Sequence, residues 1–239
     1  MTIFIITLFP GLFDQLLKTS ILGRALNNSL IKVNVVDLKD FSENKRKSVD
    51  SPPYGGGPGM VIEALPLLRA VDYSQKQLTE EMPKKKPAKV ILMTPQGSLF
   101  NQKKAHTLSK ENSLIIVCGH YAGVDQRFID IACDEEISIG DFILTGGEIP
   151  AMAILDATAR LLPDVLGNPD SVEYDSFSKD NCGMLQGPLY TRPAKVNNFD
   201  VPDVLMSGNH GEIQKWRWNQ SKNITHERRP ELTDENQQC

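Results

Sequence analysis

Three glycine-containing segments have the residue types that shape a ligand pocket. They read TPQG (94–97), CGHYAGVD (118–125) and SIGDFILTGGEIP (138–150), and we expect each to lie at or just past the end of a strand. Ligands of α/β sheets bind outside the carboxyl ends of parallel strands. One such segment could simply turn the chain, but three together predict a shared pocket.

Two charged residues outside these segments are candidates for acid–base chemistry and charge stabilisation. Asp175 stands in a polar stretch, and Arg160 lies near the end of a predicted helix. A carboxylate can accept a proton, and a guanidinium can stabilise developing negative charge. The pattern alone favours simpler roles. Asp175 is suited to capping a helix, and Arg160 follows Asp156 at the spacing of a surface ion pair.

A glycine block, PYGGGPGM at 53–60, could approach an anion through its backbone N–H groups. It is not a P-loop, because no Lys-Ser/Thr pair follows the glycines. The spacing does not fit a dinucleotide fingerprint either. A flexible loop is the simplest interpretation, although two prolines within the block favour a defined shape.

The segment SGNHGEIQKWRWNQSK (207–222) combines cationic and aromatic side chains. These are Lys215, Trp216, Arg217, Trp218 and Lys222. Basic residues bind phosphates, and indole rings stack on bases. The alternative is a helix that buries its tryptophans, but side chains two residues apart on a helix do not face one core.

The elements that must position these residues alternate strands with helices over 1–165. Strands are predicted at 2–8, 31–38, 89–93 and 114–118, and helices at 12–18, 64–78, 102–109 and 148–162. The last two strand runs are continuously apolar, which is typical of parallel strands covered on both faces. We therefore predict an α/β domain with a parallel sheet.

The composition changes at GNPDSVEYD (167–175), which is polar and punctuated by glycine and proline. That composition is typical of a linker. We predict a first domain over 1–165, a linker over 166–176 and a small helical domain over 177–239. We find no convincing strand run in the last of these.

Composition excludes several classes of protein. The 239 residues carry a formal net charge of −4, which excludes a globally basic nucleic-acid coat but allows a local basic face. No apolar run approaches the roughly 18 residues that span a membrane, so no membrane partner is expected. The four cysteines form no C-x-x-C pair and lack a histidine at zinc-ligand spacing. We expect reduced cysteines in a cytoplasmic protein.

Six motifs together resemble the bacterial tRNA (guanine-N1)-methyltransferases, which modify guanine 37 beside the anticodon and so maintain the reading frame. They are VDSPPYGGGPGM, CGHYAGVD, SIGDFILTGGEIPAM, DSF at 175–177, YTRP at 190–193 and LMSGNHGEIQKWR. They occur in order along nearly the whole chain. The resemblance implies a parallel-sheet α/β domain of the SPOUT superfamily with a C-terminal trefoil knot, followed by a small helical domain that binds tRNA.

The same resemblance assigns S-adenosylmethionine, the methyl donor, to the three strand-end segments. Its contacts are expected at Pro95, Gly119, Tyr121, Ile139, Gly140, Asp141, Phe142, Ile143, Leu144 and Pro150. It makes Asp175 the base that accepts the N1 proton of guanine, and Arg160 the group that stabilises negative charge on O6 of the same base. These roles replace the helix cap and the surface ion pair that the pattern alone favours. Lys215 and Arg217 are expected to bind the tRNA anticodon stem-loop. A homodimer with each active site at its interface is also implied.

The chain departs from the family pattern at three positions. Ala122 stands where the family usually has Glu, Ser51 where Asp is common, and His120 where Arg is common. Members of the family look dependent on Mg²⁺, which makes this ion a candidate cofactor. Two of the expected carboxylates are missing, so no metal ligand is assigned.

Two other functions fit parts of the sequence. The letters SGNH at 207–210 spell the name of a hydrolase group, but in those enzymes the four residues come from separate blocks. No Gly-x-Ser-x-Gly elbow supports a serine nucleophile. The second alternative is a tRNA-binding protein of the same fold with weak or lost methyltransferase activity. Ala122 supports it, and Asp175 and Arg160 oppose it.

Overall fold

A computed structural model describes residues 1–167 and 174–234 of the chain. The chain divides into two units, residues 1–167 and residues 168–239, and each is described by itself. The linker predicted over 166–176 includes residues 168–173, which lie outside the described residues.

The first unit is built on a five-stranded parallel sheet with the order β2-β1-β6-β5-β7. Its strands are β1 (Thr2–Thr7), β2 (Lys32–Asp37), β5 (Lys89–Leu99), β6 (Ser113–Cys118) and β7 (Glu135–Ser138). A separate antiparallel pair joins β3 (Asp50–Ser51) to β4 (Val61–Ile62). The predicted α/β class is therefore confirmed, and the four predicted strands are the first four members of the main sheet.

Helices cover both faces of this sheet. They are α1 (Asp14–Lys18), α2 (Ser20–Asn27), α3 (Ala64–Glu81), α4 (Gln102–Leu108), α5 (Gln126–Ala132) and α6 (Glu148–Ala159). In β6, Ile116 packs in one core cluster with Leu155 of α6, whereas its neighbour Val117 packs in the other with Leu67 of α3 and Phe128 of α5. Alternate residues thus face opposite cores, which explains the continuous apolar run. Burying each such side chain contributes about 1.5–3 kcal/mol.

Strand β5 is longer than the sequence predicts. We expected it to end at Met93, with the 94–97 segment as a loop. Instead both Met93 and Ser98 pair with Ile137 of β7, so the residues between them bulge out of the strand, which continues to Leu99. The bulge keeps Pro95 at the carboxyl end of the first part of the strand.

Within the described residues of the second unit, helices begin only after residue 202 and account for fewer than half of the residues. Its helices are α7 (Asp203–Met206), α8 (His210–Arg228) and α9 (Glu231–Asp234). The hydroxyl of Thr225, on α8, accepts a 3.0 Å hydrogen bond from the N–H of Leu185. A short antiparallel hairpin joins β8 (Lys195–Val196) to β9 (Phe199–Asp200), so the expectation of no strand here is wrong. Two-residue strands are too short to give an apolar pattern.

Among the helices in the described ranges, none has both the length and the apolar character that crossing a bilayer requires. Cys118 and Cys133 carry free thiols, as expected. Cys182 is disulfide-bonded, so the expectation of four reduced cysteines is wrong at this position. Cys239 lies outside the described residues. The trefoil knot stays a prediction.

Candidate active site

A cavity of about 370 Å³ opens beside the bulge of β5 and the carboxyl ends of β6 and β7, and we call it the strand-end cavity. The 94–97, 118–125 and 138–150 segments together supply most of its lining, so the predicted shared pocket exists. Nine of the ten residues expected to contact the donor line it: Pro95, Gly119, Tyr121, Ile139, Gly140, Phe142, Ile143, Leu144 and Pro150. Asp141 is exposed and does not line the cavity.

The titratable side chains among the described lining residues are those of His120 and Tyr121. None of the described lining residues is a lysine, arginine, aspartate or glutamate. Phosphate groups are usually held by Arg or Lys side chains. The cavity is therefore better suited to a neutral heterocycle held by backbone groups and apolar side chains than to a phosphate-rich cofactor.

The segment after β6 is hydrogen-bonded to the last residue of the glycine block and to the strand that follows the block. The N–H of Ala122 donates a 2.9 Å hydrogen bond to the carbonyl of Met60, and the N–H of Ile62 donates a 3.0 Å bond to the carbonyl of Gly123. The end of the block is thereby fixed against one wall of the cavity. Of the two interpretations of the glycine block, a flexible loop or a loop of defined shape, these bonds favour a defined shape at the end of the block.

The segment after β7 turns sharply at Gly140. The hydroxyl of Ser138 accepts a 3.2 Å hydrogen bond from the N–H of Gly140, whose carbonyl accepts a 3.0 Å bond from the N–H of Phe142. Gly140 has a φ of +152°, and a Cβ there would lie 2.5 Å from the ring of Phe142. Only glycine fits this turn without strain.

A buried polar cluster lies beside the cavity, and sequence reasoning missed it. Glu148, the first residue of α6, is only 4% exposed. Its Oε1 accepts a 2.8 Å hydrogen bond from the hydroxyl of Thr7, at the end of β1. Its Oε2 lies 3.9 Å from Nδ1 of His120. An acidic residue in the first turn of a helix is common, so nothing in the sequence singled it out.

Neither the cysteine nor the tyrosine nearest this cluster is suited to act as a nucleophile or base. Burial, with a smaller contribution from Glu148, raises the pKa of the Cys118 thiol well above its ordinary value. Burial, followed by the charge of Asp50, also raises the pKa of Tyr121. Both groups therefore stay protonated at neutral pH. Neither group therefore supplies a base or a nucleophile to the cavity.

The two predicted catalytic residues belong to different units. Arg160 is the C-terminal capping residue of α6 in the first unit, and its N–H donates a 3.2 Å hydrogen bond to the carbonyl of Asp156. Asp175 is half-buried in the second unit, and its carbonyl accepts a bond from the N–H of Ser178. Asp175 lies in a turn and does not begin a helix, so the capping role is wrong. The catalytic roles of both residues stay predictions.

Helix α8 presents the predicted cationic and aromatic surface. Lys215 and Arg217 are exposed. The Nζ of Lys222 lies 5.2 Å from the ring centre of Trp218, which is itself exposed. Trp216 is half-buried and contacts the ring of Tyr190 instead. The two tryptophans thus differ in environment, and Trp218 is the more exposed of the two.

The model of the family described as tRNA (guanine-1)-methyltransferase TrmD matches residues 1–235. The chain belongs to this family. A tRNA (guanine-N(1)-)-methyltransferase of Alkaliphilus oremlandii is 48% identical over 232 residues, which cover 97% of this chain and 92% of the relative. A protein of the same name from Bacillus pumilus is 48% identical over 234 residues, covering 98% and 92%. One from Listeria monocytogenes is 46% identical over 232 residues, covering 97% and 91%.

Two departures from the methyltransferase pattern have structural consequences. Ala122 is exposed, so its position has room for a larger side chain. The hydroxyl of Ser51 donates a hydrogen bond to the carboxylate of Glu63. Within residues 1–167 and 174–234, no group of three or more His, Cys, Asp or Glu side chains could hold a metal ion. The described residues therefore assign no site to Mg²⁺.

The residues SGNH at 207–210 have a local structural role between two helices. Ser207 donates a 2.8 Å hydrogen bond to the carbonyl of Val204 and accepts a 3.1 Å bond from the N–H of Asn209. The side chain of Asn209 then accepts a bond from the N–H of Glu212 and caps α8. The segment ends one helix and begins the next, and its serine is engaged in local backbone bonds.

Proposed function

We propose that this protein transfers a methyl group from S-adenosylmethionine to N1 of guanine 37 in tRNA, next to the anticodon. Its membership of the tRNA (guanine-1)-methyltransferase family supports the reaction. The observation that carries the proposal is the strand-end cavity, which is built from the same three segments that the motifs predict for the donor. Because its substrate is tRNA, we place the enzyme in the cytoplasm.

The cavity fits the donor in size and chemistry. Its volume of about 370 Å³ falls in the range of pockets for small cofactors. Apolar side chains such as Ile139 and Leu144 suit an adenine ring, and backbone groups of Gly119 and Gly140 suit its polar edge. When bound, S-adenosylmethionine supplies a methyl group on a positively charged sulfonium, a good leaving group, so no covalent enzyme intermediate is needed.

Asp175 is the proposed general base. Guanine N1 carries a proton at neutral pH and is a poor nucleophile until that proton leaves. A carboxylate that accepts this proton raises the reactivity of N1, an effect worth about 10²–10⁴-fold.

Arg160 is the proposed charge-stabilising group. When N1 loses its proton, negative charge spreads to O6 of the guanine. A guanidinium placed to donate hydrogen bonds to O6 stabilises that charge as it develops. Its position directly after the last turn of α6 fixes its backbone.

The second unit is proposed to bind the anticodon stem-loop. The exposed Lys215 and Arg217 suit phosphate contacts, and Trp218 suits stacking on a base. We further propose a homodimer in which the Asp175 of one protomer serves the cavity of the other. This arrangement rests on the family resemblance.

The test is to incubate the protein with tRNA and S-adenosylmethionine labelled in its methyl group, and then to locate the modified base by nuclease digestion and mass spectrometry. We expect one methyl group, on N1 of guanine 37. A matched tRNA with adenine at position 37 should stay unmodified. Label on another base would overturn the assigned position, and absence of label would overturn the activity.

A further inference from the structure

A buried carboxylate lies directly behind one wall of the strand-end cavity. Gly146 and Gly147 line the cavity, and Glu148 follows them as the first residue of α6. A Cβ built on Gly146 would lie 2.3 Å from Oε2 of Glu148 and 2.4 Å from Nδ1 of His120. The carboxylate therefore lies directly against a glycine that lines the cavity.

The charge of this carboxylate is weakly compensated. Thr7 contributes a neutral hydroxyl, at 2.8 Å from Oε1. The nearest cationic candidate is His120, whose Nδ1 lies 3.9 Å from Oε2, is buried, and makes no hydrogen bond. Within the described residues, Glu148 has no ion pair with a lysine or arginine. Its side chain is only 5% exposed, so water screens it poorly.

A charge in this position distinguishes the two states of the methyl donor. Methyl transfer turns the sulfonium cation into a neutral thioether, so donor and product differ by one positive charge. A buried anion close to the cavity attracts the cation but not the neutral product. Hydrogen bonds and apolar contacts shared by the two molecules cannot make this distinction.

We infer that Glu148 is a specificity-determining residue that makes the strand-end cavity prefer the charged donor over its neutral product. The inference rests on the proposed function, because it takes S-adenosylmethionine as the ligand. It assigns Glu148 a role through its charge, beyond its hydrogen bond with Thr7. An enzyme with this preference exchanges product for fresh donor more readily after each transfer.

The experiment compares Kd values for S-adenosylmethionine and S-adenosylhomocysteine by calorimetry, using the full-length protein. Glu148→Gln keeps the shape and a hydrogen-bond acceptor but removes the charge. We expect it to weaken donor binding about tenfold while product binding changes less than about twofold. Thr7→Val is the matched control, since it disturbs the same cluster but keeps the charge. It should shift both Kd values by the same factor.

The possible results separate the inference from the proposed function. If the wild-type protein binds neither ligand, the proposed function fails. If both bind and Glu148→Gln changes both Kd values equally, Glu148 is only structural and the inference is overturned.

If Glu148→Gln does not fold, His120→Arg and His120→Gln provide the second comparison, because His120 is partly exposed. The arginine places a cation against Glu148, so it should reduce the preference for the donor relative to the glutamine. Equal preference in these two variants would also overturn the inference.

Discussion

The N–H of Gly147 donates a 2.7 Å hydrogen bond to the carbonyl of Gly119, and this bond joins the start of α6 to the segment after β6. Both glycines line the strand-end cavity. A Cβ at Gly147 would lie 2.8 Å from both Cα of Cys118 and the nitrogen of Gly119. Because these are backbone atoms in and next to a buried strand, they cannot move aside at low cost.

Gly147→Ala should therefore lower the free energy of unfolding by about 1–3 kcal/mol and weaken donor binding. Thermal unfolding and calorimetry with S-adenosylmethionine measure the two effects. Gly11→Ala is the control, since a Cβ there would meet no atom within 4 Å. If Gly147→Ala matched the control in both measurements, the close contact between these segments would not be important for the site.

Asp175→Asn should reduce methyl transfer by about 10²–10⁴-fold, because the amide cannot accept the N1 proton. Donor binding should change by less than a few fold, since the proposed base acts on guanine. Single-turnover transfer to tRNA and calorimetry give the two values. Turnover equal to wild type would disprove the assignment, and Glu173, outside the described residues, would be the next candidate.

Lys215→Ala combined with Arg217→Ala should weaken tRNA binding and reduce its dependence on salt, because two exposed cations are lost. Donor affinity should not change. Filter binding over a range of salt concentrations measures the slope. Lys84→Ala with Lys86→Ala is the matched control, since it removes two exposed lysines from the first unit. Equal slopes in the two double variants would mean that this face of α8 does not bind tRNA.

The sequence predicted the centre of the sheet because those strands are apolar on both faces. It missed β7, whose sequence is EEIS. This strand lies at the edge of the sheet, where Glu135 pairs with Lys89 and Lys104. Charged residues are compatible with an edge strand but give no apolar run. The β5 bulge was also missed, because it depends on pairing with β7.

The strand-end cavity was predictable because glycines follow the strands that form it. The Glu148 cluster was not, since its hydrogen bond joins residues 141 positions apart in the chain. No local pattern reports a contact between Thr7 and Glu148. The catalytic roles of Asp175 and Arg160 came from family motifs alone, because their local patterns favoured a cap and an ion pair.

Ala122→Glu should be tolerated, because Ala122 is exposed and a longer side chain can extend into solvent. We expect an unfolding temperature within a few degrees of wild type. Methyl transfer should be measured with and without Mg²⁺ in both proteins, since the new carboxylate restores a group that relatives have. Ala122→Ser, which adds no charge, controls for the change in size. Misfolding of the glutamate variant would mean that the site requires a small side chain.

The proposed sharing of active sites between protomers predicts complementation between two inactive variants. Gly140→Leu should block donor binding, because a side chain there meets the ring of Phe142 and the φ of +152° is unfavourable. Asp175→Asn should lack the base. In a mixed dimer, a shared arrangement gives one site with both functional parts and one site with neither.

If the two variants are unfolded and refolded together, about half of the dimers should be mixed, each with one active site, so roughly a quarter of wild-type activity should return. Each variant refolded alone is the control for residual activity, and different affinity tags on the two chains confirm that mixed dimers form. If the base and the donor segment came from the same chain, every site would lack one of them. Mixed dimers as inactive as the two parents would therefore exclude the shared site while leaving the methyltransferase assignment intact.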